Sequence, residues 1–375
     1  MANVERILIV GGGISGLTLA TALHQQGFRA ELVERSPTWH AAGAGILVHA
    51  NGMRVLRALG IGKAVEQAGT VLRHWGWFDQ QGELLSDTDL EALWGEVGPC
   101  IGIARPRLQR VLLAGAAAVP SRLGTAVTSL VQDEQRVSVG FSDGSSGEYD
   151  LVVGADGIAS TVRRLTLGTA ETSYVGLMAW RSLIPMRPPG VTDFMVLLGE
   201  GCAFGLMPMG EGHTYSFGVA DSPRVRDPLA GRLERLRRRF ADFGGPVPAY
   251  LAALTCDEQL HCAPLGSVEL DQWHSGRVVL IGDAAHAGPP MMAEGGCMAM
   301  EDACVLAEVL RESESVESAL DAYVNRCKPR AGWVQQQSRA VAESFLLPPA
   351  IRNATLRERG DQGMHDRFAL LVPAP

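Results

Sequence analysis

Residues Ile7-Leu8-Ile9-Val10-Gly11-Gly12-Gly13-Ile14-Ser15-Gly16 carry four consecutive apolar side chains into a glycine-rich turn. Leu17 to Gln26 then continue with helical periodicity, Gly27 closes the helix, and Ala30 to Val33 return as a second apolar run. Strand, tight turn, helix and strand make one βαβ unit over residues 4 to 34. Within it Gly11, Gly13 and Gly16 form G-x-G-x-x-G. The first glycine permits the turn, the second admits a pyrophosphate to the backbone, and the third lets helix and strand pack closely. Unpaired N–H groups at the helix start, Ser15 among them, and the positive end of the helix dipole stabilise the phosphate charge. Glu34, with Arg35 beside it, ends the second strand, where a carboxylate accepts hydrogen bonds from ribose hydroxyls.

Outward from this unit, Val127 to Leu130, Val137 to Phe141 and Leu151 to Val153 read as strands, with the turn Ser142-Asp143-Gly144-Ser145 among them. They suggest a meander over the first sheet. From Met178 to about Ala220 short β-rich segments are broken by Pro185, Pro188-Pro189-Gly190 and Gly210-Glu211-Gly212, the pattern of a mostly antiparallel sheet. Arg277 to Ile281 is again a strand, and Cys297 to Arg311 and Ser318 to Ser344 are helices, so a nucleotide-binding fold resumes after the inserted sheet. Pro348-Pro349 and Pro373-Ala374-Pro375 point to a looser tail. Arg232 to Arg239 reads as the solvated face of an amphipathic helix whose apolar side holds Leu229, Leu233, Leu236, Phe240 and Phe243.

At 375 residues, 46% apolar and 20% charged, the chain suits one large domain or two sharing an interface. A net charge of −8 disfavours nucleic acid. The sequence carries neither an apolar run long enough for a membrane span nor a signal-peptide pattern in MANVERILIV. Its seven scattered cysteines, without a CxxC pair, favour reduced thiols in a cytoplasm and argue against a dithiol reductase. No zinc-type Cys/His cluster is present, so no metal is expected.

G-x-G-x-x-G alone does not separate FAD from NAD. Two later motifs do: Gly154-Ala155-Asp156-Gly157 running on to Arg163, and Gly282-Asp283-Ala284-Ala285-His286 running through Pro290 to Glu294-Gly295-Gly296 and Glu301-Asp302. With these three motifs in this order, essentially the whole chain resembles the class A, para-hydroxybenzoate-hydroxylase-like flavoprotein monooxygenases. The run HAGPPMMAEGGCMAMEDA is most similar to the branch of salicylate, hydroxynicotinate and urate hydroxylases. The resemblance implies an α/β fold. A Rossmann-like FAD-binding domain in three ββα layers covers 1–175 and 265–340, an inserted, mostly antiparallel substrate sheet covers 176–264, and C-terminal helices and a tail at 341–375 follow.

It further implies FAD held by Gly11, Gly13, Ser15, Gly16, Glu34, Arg35, Arg105, Asp156, Asp283, Pro290, Gly295 and Gly296. The chain has no second G-x-G-x-x-G, and the resemblance implies that NADH or NADPH is a transient hydride donor. The reduced flavin passes through a C4a-hydroperoxide, and the product is a hydroxylated small aromatic substrate. Epoxidation, Baeyer–Villiger insertion or tailoring of a polycyclic natural product fits the same motifs. A non-catalytic dinucleotide-binding protein is the reading outside enzymes. Substrate contacts are expected from Arg181, Met207, Met209, Phe217 and Met291, with His213, Tyr215 and His286 as candidate catalytic groups. Each of these three also has a bland reading, as core (Tyr215), turn (His213) or structural support (His286). The methionines suggest a pliable apolar pocket, and Arg181 a partner for a substrate carboxylate. Monomer and homodimer are both compatible. Glu294 stands where this branch carries glutamine. It is expected either to set a negative charge near the reduced flavin or to point to solvent.

Overall fold

The computed structural model describes residues 4–39, 44–168 and 172–375. Met1 to Asn3 of the opening segment lie outside the described residues. Its central sheet has six strands in the order His274–Ser275, Val278–Leu280, Leu151–Gly154, Ile7–Val10, Ala30–Glu34, Ser121–Leu123. Ile7–Val10 pairs in parallel with Leu151–Gly154 on one side and Ala30–Glu34 on the other. Both central strands are buried along their whole length, as unbroken apolar runs in a parallel sheet require. Each side chain such as Ile9 or Val152 contributes about 1.5–3 kcal/mol by leaving water. The helix Ile14–Gln25 crosses to Gly295–Glu312, which carries the last motif.

The meander differs from the expectation in one strand. Val127–Gln132, Val137–Phe141 and Ser146–Tyr149 form the antiparallel sheet, while Leu151–Gly154 leaves it for the centre of the parallel sheet. A small third sheet, Gly45–Val48, Cys100–Ala104 and Thr70–Leu72, lies against the end of the large one.

The large sheet has seven strands in the order His261–Ser267, Ser173–Ile184, Thr214–Asp221, Cys202–Pro208, Phe194–Leu198, His74–Asp79, Leu84–Asp89. Five come from the expected insert. The other two, His74–Asp79 and Leu84–Asp89, lie far upstream, and His74–Asp79 pairs in parallel with Phe194–Leu198. Cross-strand pairing assigns the faces, because directly opposed residues point the same way. One face carries Trp180, Phe204, Leu206 and Leu197 and is covered by the helices Arg232–Arg239 and Val247–Ala253 through Leu236, Phe240, Tyr250 and Leu251. Opposite lie Arg181, Leu183, Met207, Tyr215 and Phe217, with Arg181 opposed to Phe217 and Met207 to Tyr215.

The segment expected as a loose tail is instead a helix, Pro349–Phe368. Its buried Arg352 donates to the carbonyls of Gly199 (2.6 Å) and Leu198 (3.1 Å) at the end of a sheet strand. Beyond it, Arg54 donates to the Val372 carbonyl and Arg330 to that of Leu370. Proline at the start fits the first helical turn, so the Pro348-Pro349 pair opens a helix here and does not mark irregular chain. Among the described residues no helix is long and apolar enough to cross a membrane.

Candidate active site

Steric contacts bring the three motifs together. A side chain at Gly11, whose φ is +110°, would collide with the Ala155 carbonyl, and one at Gly16 with that of Gly11. A side chain at Gly282 would strike Ser15 Oγ. One at Gly296 would come within 2.7 Å of Ile46 and 3.6 Å of Ile14, and one at Gly295 within 3.9 Å of Asp283 Oδ1. Beside Gly13 there is open space at the helix start, the cradle a pyrophosphate needs. Buried Arg163 ties the second motif to the third, donating to the carbonyls of Ile158 (2.7 Å) and Ala284 (2.9 Å).

The expected cofactor residues divide by what their polar atoms do. Glu34 accepts from the N–H groups of Gly12 and Ser36, both at 2.8 Å, and keeps lone pairs on each oxygen for hydroxyls. Asp283 is exposed, and among the described residues its carboxylate has no hydrogen-bond partner, which suits a group awaiting ligand hydroxyls. It begins the short helix Asp283–His286, whose N-cap is Gly282 with φ +59°. Arg35, Pro290 and Gly295 are likewise exposed. Asp156 differs: its carboxylate accepts from the Thr161 (2.7 Å) and Val162 (3.1 Å) N–H groups and from Ser160 Oγ, and so orders the start of the helix Thr161–Leu167. That job is structural, and it sets this carboxylate beside Gly11.

Arg105 begins the helix Arg105–Gly115. Burial lowers its pKa from the ordinary value; Tyr215 and Asp283 oppose that shift and Arg181 adds to it. Tyr215 is buried and its phenol is raised by burial, against the pull of Arg181 and Arg105. These four groups therefore share one electrostatic neighbourhood, where the cofactor residues Arg105 and Asp283 meet the sheet face bearing Arg181 and Tyr215. Met207, Met209 and Met291 pack in the same apolar cluster as Tyr215 and Phe217, and Met209 and Tyr215 both lie against Gly45. A side chain at Gly205 would collide with the Phe217 ring.

Two of the candidate residues, both histidines, have partners within the fold. His213 sits in the turn before the strand Thr214–Asp221, its Nδ1 3.3 Å from the Gly210 carbonyl oxygen, so strand alternation does not carry it onto the pocket face. His286 is buried against Trp273, with Nε2 2.7 Å from Asp302 Oδ2, and that same oxygen accepts from the Gly282 N–H at 2.8 Å. Burial works against the imidazolium, but the Asp302 carboxylate outweighs it and holds His286 above its ordinary range. The pair locks the Gly282-Asp283 turn.

The sequence did not reveal where Glu294 points. It does not point to solvent. Its side chain is buried, Oε2 accepts from Asn51 Nδ2 at 3.1 Å, and Oε1 has no hydrogen-bond partner. Burial pushes its pKa up to about 8, against the Asn51 hydrogen bond, so it is a neutral acid at pH 7. His49 and Asn51, also buried, were missed. The only signal was the polar pair itself, His49-Ala50-Asn51 closing an apolar run, with nothing to say what it faces.

A dinucleotide cradle, an exposed carboxylate at the third motif, a half-buried arginine and an aromatic and thioether-rich sheet face define a flavoprotein with a separate substrate surface. The profile of the FAD binding domain family matches residues 5–338. The chain belongs to that family and to the class A flavin monooxygenases within it, and FAD is its cofactor. It is similar to an aurachin C monooxygenase/isomerase of Stigmatella aurantiaca, 35% identical over 84% of this chain and 83% of that protein. It is also similar to an FAD-dependent urate hydroxylase of Klebsiella pneumoniae subsp. pneumoniae, 34% identical over 86% of each chain. Among solved structures, Klebsiella pneumoniae HpxO complexed with FAD and uric acid superposes with a TM-score of 0.90, at 29% identity over 97% of each chain.

Proposed function

We propose that the chain is a single-component hydroxylase of a small aromatic substrate, using NADH or NADPH and molecular oxygen. The observation that carries this reading is the sheet face on which Arg181, Met207, Tyr215 and Phe217 stand together, adjoining Arg105 and Asp283. Bound FAD, once reduced, supplies an activated oxygen atom. Gly11 to Gly16, Glu34, Arg105 and Asp283 hold the dinucleotide, and Met207, Met209 and Met291 exclude water from its substrate side. Phe217 offers a ring wall. Arg181 orients a polar or acidic substituent, and the Tyr215 hydroxyl orients it and holds the proton that moves as the ring is attacked. Urate, a small nitrogen heterocycle, is the substrate named for one relative, and this supports a ring compound of that size.

The aurachin C relative supports a second reading, oxygenation of a larger natural-product ring with a rearrangement following it. Both are tested by one experiment. Purified holoenzyme is screened with phenols, N-heteroarenes and polycyclic quinoline-type compounds, following NAD(P)H oxidation and incorporation of labelled oxygen. Stimulated oxidation with label in a small-ring product supports the first reading. Label only in polycyclic products selects the second, and stimulated oxidation yielding hydrogen peroxide alone overturns both.

A further inference from the structure

The turn Pro290 to Gly296 closes the cofactor cleft opposite the glycine-rich loop, and its backbone is not relaxed. Ala293 has φ 54° and ψ 21°, the left-handed region that a residue with a Cβ seldom adopts, and it persists only where the surroundings fix it. The next residue, Glu294, holds the N-cap position of the helix Gly295–Glu312 without capping it. A short polar side chain there would turn back onto the helix N–H groups. Glu294 instead turns inward and is buried, so its side chain caps none of the first N–H groups of the helix.

Among the described residues, the groups around its carboxyl provide one hydrogen bond and no counter-charge in contact. From the helix Ala50–Ala58, Asn51 donates to Oε2. Arg54 of that helix donates instead to Glu301 at 3.1 Å. Arg330, of the helix Val316–Ser344, also turns to Glu301, with two bonds of 3.0 Å. Two carboxyls seven residues apart on one helix thus differ completely: Glu301 holds both guanidiniums and Glu294 holds neither. His49 Nε2 lies 3.9 Å from Oε1, but it is 3.2 Å from the Met292 carbonyl oxygen and so must donate there. His49 is therefore neutral; burial pushes its pKa down to about 3. The thiols of Cys100 and Cys297, raised by burial, complete the surroundings. An ionised Glu294 would be a buried anion without a contacting cation, which such a site does not tolerate.

We infer that Glu294 is a positioning residue that, as a neutral acid lodged between Asn51 and His49, holds the turn Pro290 to Gly296 in its FAD-binding arrangement, and that ionising it releases the turn. This rests on FAD as the cofactor and is independent of which substrate is hydroxylated.

The test is FAD binding to the deflavinated full chain, followed by flavin fluorescence across the pH range. If the released form does not bind, the wild-type dissociation constant rises roughly tenfold between about pH 7 and pH 9. In Glu294→Gln, which keeps a neutral planar group that does not titrate, that ratio falls to about one. A wild-type constant unchanged over this range overturns the inference, as does the same rise in Glu294→Gln. A second measurement serves if the variant does not fold. The wild-type infrared spectrum of the deflavinated chain should show a protonated-carboxyl C=O band at neutral pH that bleaches over the same interval as FAD affinity falls. Absence of such a band overturns the inference.

Discussion

Individual side chains in the cleft differ in what their loss should do. Asp283→Ala removes a solvent-facing carboxylate that supports no other part of the fold, so folding should be unchanged. Losing charge-assisted hydrogen bonds of about 1.5–3 kcal/mol weakens FAD binding roughly ten- to hundredfold, measured by titrating deflavinated protein. Tyr215→Phe keeps ring packing against Gly45 and Met207 but deletes the hydroxyl near Arg181. It should lower the coupled hydroxylation rate by roughly 10²-fold or less, while FAD affinity holds. Steady-state product formation against NAD(P)H oxidation reads this directly. His286→Ala should act on the fold. With its partner gone, Asp302 is a buried uncompensated charge, and a loss of about 3–5 kcal/mol is expected in denaturant unfolding.

At the level of strands and helices, the sequence displayed the elements whose signal is local. Ile7–Val10 and its glycine turn, Val137–Phe141 and Arg232–Arg239 carry their pattern within a dozen residues. Their positions follow from periodicity and backbone freedom alone. What stayed hidden depends on partners far along the chain. Trp75 and Trp77 alternate as strand residues do, but nothing nearby says that their strand joins Phe194–Leu198. Leu151–Gly154 is as apolar as its neighbours in the meander, and only the burial of both its faces separates it from them. For the same reason Asp156 and His286 were legible as motif members, but not as a helix-ordering carboxylate and a locked ion pair. Pro349–Phe368 was obscured by its prolines, and the arginine that fixes it is an ordinary surface residue type. Arg352→Ala should cost about 2–4 kcal/mol and loosen this helix first, as hydrogen exchange confined to 349–368 would report.

Across the whole molecule, two buried acid–base groups set the dependence of stability on pH. His286 is held above the ordinary histidine value of about 6.5. Its stabilisation is therefore complete below that value and is lost as pH rises through the raised one. Glu294 acts in the same direction for the opposite chemical reason. Between the ordinary carboxyl range and about 8 the folded chain keeps a proton that the unfolded chain has released, so stability falls as pH climbs. Below about pH 6.5 neutral His49 works the other way and offsets the fall, so the melting temperature should decline from about pH 6.5 into mildly alkaline solution, and Glu294→Gln should flatten that decline in part, leaving the share due to His286. A melting temperature that rises over this interval would contradict both assignments.

The parallel pairing of His74–Asp79 with Phe194–Leu198 also governs how the chain is made. A ribosome adding about 5–20 residues per second leaves the tryptophans of the earlier strand waiting roughly ten seconds for their neighbour. During that wait two large indole rings and an unsatisfied strand edge are open to the wrong company, and slower translation lengthens the exposure. Yield of native protein should therefore respond to chaperone supply during synthesis far more than the finished fold's resistance to denaturant would suggest.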